Sequence, residues 1–175
     1  VFKTMTSSGT TGQQVSKIFL DRETATNQQK TLVRIVTDWT GKSRLPMLII
    51  DCPSVIKDRA MFSARGAGIL GFSMFGRKKI YALDEIRAFL QEHEGERILI
   101  FGFTFMVWQH FYKALQAAGE KLPLENALLI HGGGWKKLAA DAVSPEDFRT
   151  ALREVCGAGL QVADYYGMVE QTGCI

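Results

Sequence analysis

Four short apolar runs recur along the chain: "LPMLIID" at 45–51, "RILIFG" at 97–102, "NALLIHGGG" at 126–134 and "LQVADYYG" at 160–167. Each has the length and continuous apolarity of a strand buried on both faces. Between them lie segments of helical period. Residues 23–38 place Leu32, Val33, Ile35 and Val36 at helical spacing and stop before Gly41. "LDEIRAFLQEHEG" has Asp84 as a cap and Gly95 as a stop, and "TFMVWQHFYKALQAAG" runs to Gly119. "SPEDFRTALREVCG" has Ser144 as N-cap, Pro145 at the first helical position and Gly157 as terminator. Strands that alternate with helices in this way predict an α/β fold, a mostly parallel sheet with flanking helices. Ligands of such sheets bind outside the carboxyl ends of the strands. The glycines after "ALLIH" and the residues after "QVAD" are therefore expected to converge on one crevice.

Composition excludes some classes. A net charge of +3, with 22% charged residues, is too small and too dispersed for a nucleic-acid surface. No apolar run reaches the roughly 18–20 residues of a membrane span. Cys52, Cys156 and Cys174 are far apart and odd in number, which speaks against a disulfide framework and for a reducing, cytoplasmic location. The chain opens on Val1 and stops after "EQTGCI", so further sequence is expected on both sides of this single α/β domain of residues 1–175.

Two glycine-rich motifs do not carry the function their patterns suggest. "GAGILG", Gly66 to Gly71, fits the dinucleotide pattern but follows the charged stretch "KDRAMFSAR" rather than a strand. "GFSMFGRK", Gly71 to Lys78, nearly fits a nucleotide P-loop, yet Lys78 stands where the magnesium-binding hydroxyl belongs. Both are read as a small-residue packing segment with a turn. Residues 54–76 as a whole show no clear period.

The opening stretch "TMTSSGTTGQQVSK" is different. Two β-leaning segments, "VFKTM" and "VSKIFLD", flank it, so it is expected to join two strands. Ser7, Ser8, Thr10 and Thr11 offer hydroxyl donors, and Gly9 and Gly12 let backbone N–H groups approach an anion. Lys17 adds a positive charge. A phosphate-wrapping loop and a plain surface loop both fit these residues. At the far end, "DYYGMVEQTG" places Asp164, Tyr165, Tyr166, Gly167, Met168, Glu170 and Thr172 after a strand. An adenine ring can stack on a tyrosine there, with an acid accepting from its amino group and Glu170 offering oxygen to Mg2+.

Loop and acidic segment together resemble the adenylate-forming superfamily, which includes acyl-CoA synthetases and firefly-luciferase-type enzymes. "SSGTTG" with a following lysine is similar to its phosphate loop, and "YGMVE" to its Tyr-Gly-x-Thr-Glu segment. "GQQVSKIFLD", "HGGGWK" and "DYYGMVEQ" are most similar to the LuxE-type acyl-protein synthetase branch. The resemblance spans the chain as the middle of a larger N-terminal adenylation domain, with the small C-terminal domain absent. It implies ATP-dependent activation of a fatty or other carboxylic acid as an acyl-adenylate, then transfer to a protein cysteine. It implies ATP and Mg2+ as cofactors, an acyl-reductase or acyltransferase as partner, and no full reaction from these residues alone.

By the same resemblance, Ser7, Ser8, Gly9, Thr10, Thr11, Gly12 and Lys17 grip the β- and γ-phosphates. Gly132, Gly133 and Gly134 admit the adenosine. Asp164 accepts from the adenine amino group, Tyr166 stacks on the ring with Tyr165, Gly167 and Met168 beside it, and Glu170 holds Mg2+. Val169 stands where the superfamily has a threonine against the α-phosphate, and either Thr172 substitutes or the contact is absent. Coenzyme A as acceptor, or a nucleotide-binding scaffold without turnover, are the competing functions.

Bland roles stand beside these. Trp39, Trp108 and Trp135 are read as packing residues, with Trp135 the one placed to line an acyl pocket. His110 is read as an ordinary core or surface histidine and Cys174 as structural. His131, at a strand end, fits site and structure equally, and Lys136 fits a solvated charge and an anion contact equally.

Overall fold

The structure is a computed structural model, and it describes residues 3–6, 17–41, 44–51, 62–63, 69, 72, 76–80, 85–168 and 171–174. Strands β1 (Lys3–Thr6) and β2 (Lys17–Leu20) pair antiparallel, and Thr6 faces Lys17 across the pair. The glycine/threonine stretch therefore connects two strands, as expected, though residues 7–16 themselves lie outside the described residues. A short strand β4 (Phe62–Ser63) joins β1 in parallel and completes a small three-stranded sheet.

Helix α1 (Arg22–Thr40) follows. Asp21 caps it by accepting from the Thr24 backbone N–H at 2.7 Å, and Gly41 closes it at φ 64°, where a side chain is disfavoured. The main sheet contains β3 (Leu45–Ile50), β5 (Gly76–Ile80), β6 (Leu99–Phe103), β7 (Leu128–Gly132), β8 (Gln161–Met168) and β9 (Gln171–Cys174) in the order β5-β3-β6-β7-β8-β9. All its pairs are parallel except β8 with β9. Register shifts between Leu45 and Met47 in the β3–β5 pair, where Pro46 has no N–H to offer the ladder. Arg77 and Lys78 of the P-loop-like motif belong to edge strand β5, and Ile69 and Phe72 are buried in the core, so this segment builds structure.

Helix α2 (Ile86–Glu92) ends two residues earlier than Gly95 suggests. Gly95, at φ 77°, instead shapes the turn that follows, and Asp84 lies outside the described residues. Helix α3 (104–118) begins directly after β6 and ends at Gly119. Its middle, Val107–Tyr112, is a π-turn, a rare widening that often accompanies functional sites. Helix α4 (Pro145–Cys156) has the expected cap: the Asp147 backbone N–H donates to Ser144 Oγ at 3.1 Å.

Strand side chains alternate between two cores. Met47, Ile49, Leu99, Phe101, Leu128 and Ile130 face Leu32 and Val36 of α1, while Leu48, Ile50, Ile100 and Leu129 face α2, α3 and α4. Trp39 corrects one expectation. It is 47% exposed near the end of α1 rather than packed. Among the described residues no helix is long and apolar enough to cross a membrane.

Candidate functional site

Chain order reverses between β3 and β6, since β5 lies on one side of β3 and β6 on the other. Such a switch opens a crevice at the carboxyl ends of the strands. Register places Ile50, Gly102, His131 and Asp164 in one row across β3, β6, β7 and β8, with Phe103, Gly132 and Tyr165 in the next row. The glycines after β7 and the residues after "QVAD" thus meet at one end of the sheet, as their sequence positions predict.

The three glycines differ in what requires them. A Cβ on Gly132 would overlap the Tyr165 carbonyl oxygen, so β8 passes too close for any side chain. Gly133 has φ 76° and faces the Phe103 ring, and Gly134 has open space around it. Gly133 and Gly134 are exposed and present bare backbone. Beside them on β8, Asp164 is exposed and Tyr165 turns inward, its ring edge-on to Phe72 with centroids 4.9 Å apart. Tyr166 is 64% exposed, a large aromatic face left to solvent. Beneath the glycines lies an aromatic floor. Trp135 meets Trp108 edge-on at 5.5 Å and Phe148 at 6.0 Å, and Trp108 in turn packs on Tyr112 at 4.5 Å. Trp108 and Trp135 are packing residues as expected, with Trp135 half-buried at the glycine edge, while His110 is exposed on α3.

The reading from sequence missed Thr104. The residue after a parallel strand is a site candidate by position, and Thr104 directly follows β6. Its hydroxyl donates to the Gly132 carbonyl at 3.1 Å and lies 3.0 Å from His131 Nδ1. A hydroxyl has one hydrogen. With that hydrogen on Gly132, Nδ1 must be the donor to Thr104, which leaves Nε2 with its lone pair. Burial pushes the His131 pKa below its ordinary value, the Asp164 carboxylate opposes this, and the Arg149 guanidinium adds to it. Folding thus favours the neutral imidazole. The associated stability is complete above about pH 6.5 and is lost as pH falls through that value toward the lowered pKa. Thermal unfolding between pH 7.5 and 5 is expected to show this loss, and His131→Asn should flatten it.

Lys17 is exposed at the start of β2, at the base of the opening loop. Among the described residues it makes no hydrogen bond or ion pair to the β7–β8 end. Ser7, Ser8, Gly9, Thr10, Thr11, Gly12, Val169 and Glu170 lie outside the described residues. Gly167 and Met168 end β8 and Thr172 lies in β9, where Met168 pairs with Gln171 and Tyr166 with Cys174. Strand β9 had no counterpart in the apolar pattern. No three His, Cys, Asp or Glu side chains converge among the described residues.

Cys156 is fully buried in the α2–α4 core, and desolvation pushes its thiol up to about 12. Thiolate is the reactive form. Iodoacetamide at pH 8 is therefore expected to leave the Cys156 peptide unmodified in folded protein and to modify it after denaturation, as peptide mass mapping would show.

An exposed backbone ledge, an exposed tyrosine ring and a carboxylate side by side fit a flat, amino-bearing aromatic ligand. No curated protein and no solved structure gives a significant match. The description "Acyl-protein synthetase, LuxE" matches residues 1–174, nearly the whole chain, with the "HGGG" and "DYYG" segments that build this ledge inside the match. The chain belongs to the LuxE acyl-protein synthetase family.

Proposed function

We propose that the protein activates a fatty or related carboxylic acid with ATP, forming an acyl-adenylate, and passes the acyl group to a cysteine thiol of a protein. The observation that supports this reading best is the ledge of Gly133 and Gly134 beside Asp164 and the exposed Tyr166, within a chain of the acyl-protein synthetase family. In this reading the adenine lies on the glycine backbone and the Tyr166 ring, and Asp164 accepts from its amino group. Ser7, Ser8, Gly9, Thr10, Thr11, Gly12 and Lys17 bind the β- and γ-phosphates, with Thr172 near the α-phosphate. Glu170 would hold Mg2+, which neutralises phosphate charge. Trp135 lines the acyl end. The acid and the α-phosphate are both anionic, so aligned N–H donors and cations supply most of the rate enhancement. Cys156 is not the acyl acceptor, because it is buried and protonated.

ATP–pyrophosphate exchange in the full-length protein tests the reading. Exchange that requires an added fatty acid, followed by hydroxylamine-labile transfer of the labelled acyl group to protein, is the expected result. Thioester formation on coenzyme A instead would change the acceptor. Nucleotide binding without exchange would make the protein a non-catalytic module.

A further inference from the structure

We propose that His131 is the base that takes the proton of the acceptor thiol in the acyl-transfer step, with Thr104 holding it in the tautomer that this task requires. The inference rests on the function proposed above and adds a residue and a step to it.

Three observations carry it. The first is the tautomer. The Thr104 hydroxyl gives its hydrogen to the Gly132 carbonyl at 3.1 Å, so the His131 Nδ1–H must donate to Thr104 Oγ1 at 3.0 Å. Nε2 is thereby the unprotonated nitrogen. The second is access. His131 is 9% exposed, and its side-chain hydrogen bond among the described residues is made through Nδ1. Among the described residues His131 Nε2 is not one of the fully enclosed side-chain atoms that lack a partner, as His93 Nε2 is. The third is place. His131 directly precedes Gly132–Gly134 and shares a row with Asp164, the residues assigned to the nucleotide. In this proposal the acyl carbonyl joined to that nucleotide is brought to the same strand ends.

The electrostatic setting suits a base rather than an acid. Burial and the Arg149 guanidinium on α4 keep the imidazole neutral, while the Asp164 carboxylate on β8 favours the imidazolium once it forms. Thr104 from α3 and the Phe148 ring, 4.6 Å away on α4, are uncharged neighbours.

The step balances without an added reagent. Nε2 removes the S–H proton, and the sulfur electron pair forms a bond to the acyl carbonyl carbon. The bond from that carbon to the phosphate oxygen breaks, AMP leaves with the electron pair, and the imidazolium returns its proton to AMP or water. A free thiol is mostly protonated at pH 7, since its ordinary pKa is about 8.5. Formation of the adenylate consumes no such proton, so the two half-reactions should separate.

The test measures both half-reactions in the full-length protein with radiolabelled tetradecanoate. His131→Asn keeps a donor for Thr104 and removes the base. The ratio of acyl transfer to pyrophosphate exchange at pH 7 is expected to fall about 100-fold or more. That deficit should shrink about tenfold per pH unit toward pH 8.5, as the thiol ionises without help. Thr104→Val should lower the ratio in the same direction, and Thr104→Ser should restore it. If His131→Asn does not fold, the Thr104 pair decides the matter. An unchanged ratio, or a deficit that does not vary with pH, overturns the proposal and leaves histidine a packing residue. Absence of fatty-acid-dependent exchange in the unmodified protein overturns the proposed function itself, and this step with it.

Discussion

Gly132→Ala is expected to destabilise the protein by about 1–3 kcal/mol, the usual cost of forcing atoms into a filled space. For a chain of this size that is a fall of roughly 2–12 °C in Tm. The cause is backbone rather than side chain. The new Cβ would overlap the Tyr165 carbonyl oxygen on the neighbouring strand, and a carbonyl in a sheet cannot rotate away as the end of a flexible side chain can. Relief requires β7 and β8 to part at their carboxyl ends. That movement also disturbs the row in which His131 faces Asp164, and the Gly132 carbonyl that accepts a hydrogen bond from the Thr104 hydroxyl. Activity should therefore fall more than stability alone would require. Gly134→Ala supplies the control, since nothing lies within 4 Å of its added Cβ. Its Tm should stay within about 1–2 °C of the parent, because a substitution that meets no neighbour changes stability by about 0.5 kcal/mol or less. Calorimetry of the two variants decides this. Equal melting temperatures would show that β8 does not press on Gly132.

The features legible in the sequence are those written in local chemistry. Buried strands announce themselves as continuous apolar runs because both faces of β3, β6 and β7 are covered. The Ser144–Pro145 start of α4 is legible because a cap satisfies orphan N–H groups with adjacent residues. Edge elements carry no such signal. β5 reads "GRKKI" and β9 reads "QTGC", and each is held by pairing with a stronger neighbour, β3 or β8, rather than by its own apolar content. The π-turn in α3 escaped notice for a related reason. Its residues "VWQHFY" suit an ordinary helix, and the widening accompanies a tight contact elsewhere, since a Cβ on Gly102 would lie 2.7 Å from Val107 Cγ2 and 2.9 Å from Ile50 Cβ.

The candidate site divides in the same way. Its glycines, Asp164 and Tyr166 follow from the rule that parallel sheets bind ligands at carboxyl ends. The Thr104–His131 contact joins residues 27 positions apart and depends on the register between β6 and β7, which no local pattern encodes.

Glu170→Ala is expected to cut pyrophosphate exchange by at least about 100-fold in the full-length protein, the loss of roughly 2.7 kcal/mol of barrier lowering. A carboxylate must approach the α-phosphorus of a polyanion, and a divalent cation is the most compact way to reduce that repulsion. Carboxylate oxygen is the side-chain ligand such a hard cation prefers. Glu170 lies outside the described residues and comes two positions after Met168, the last residue of β8, in the sequence. In the proposed reading Asp164 and Tyr166 take the adenine, and Glu170, further along the chain, serves the phosphate side of the same ligand. Binding of ATP should weaken much less than exchange, because the adenine and the β- and γ-phosphates keep their other partners. Glu170→Asp retains an oxygen ligand at a shorter reach and should recover part of the rate at raised Mg2+. Exchange measured across a magnesium titration separates the outcomes. A Glu170→Ala protein with full activity and unchanged magnesium dependence would remove this residue from the metal site and leave the cation to another carboxylate.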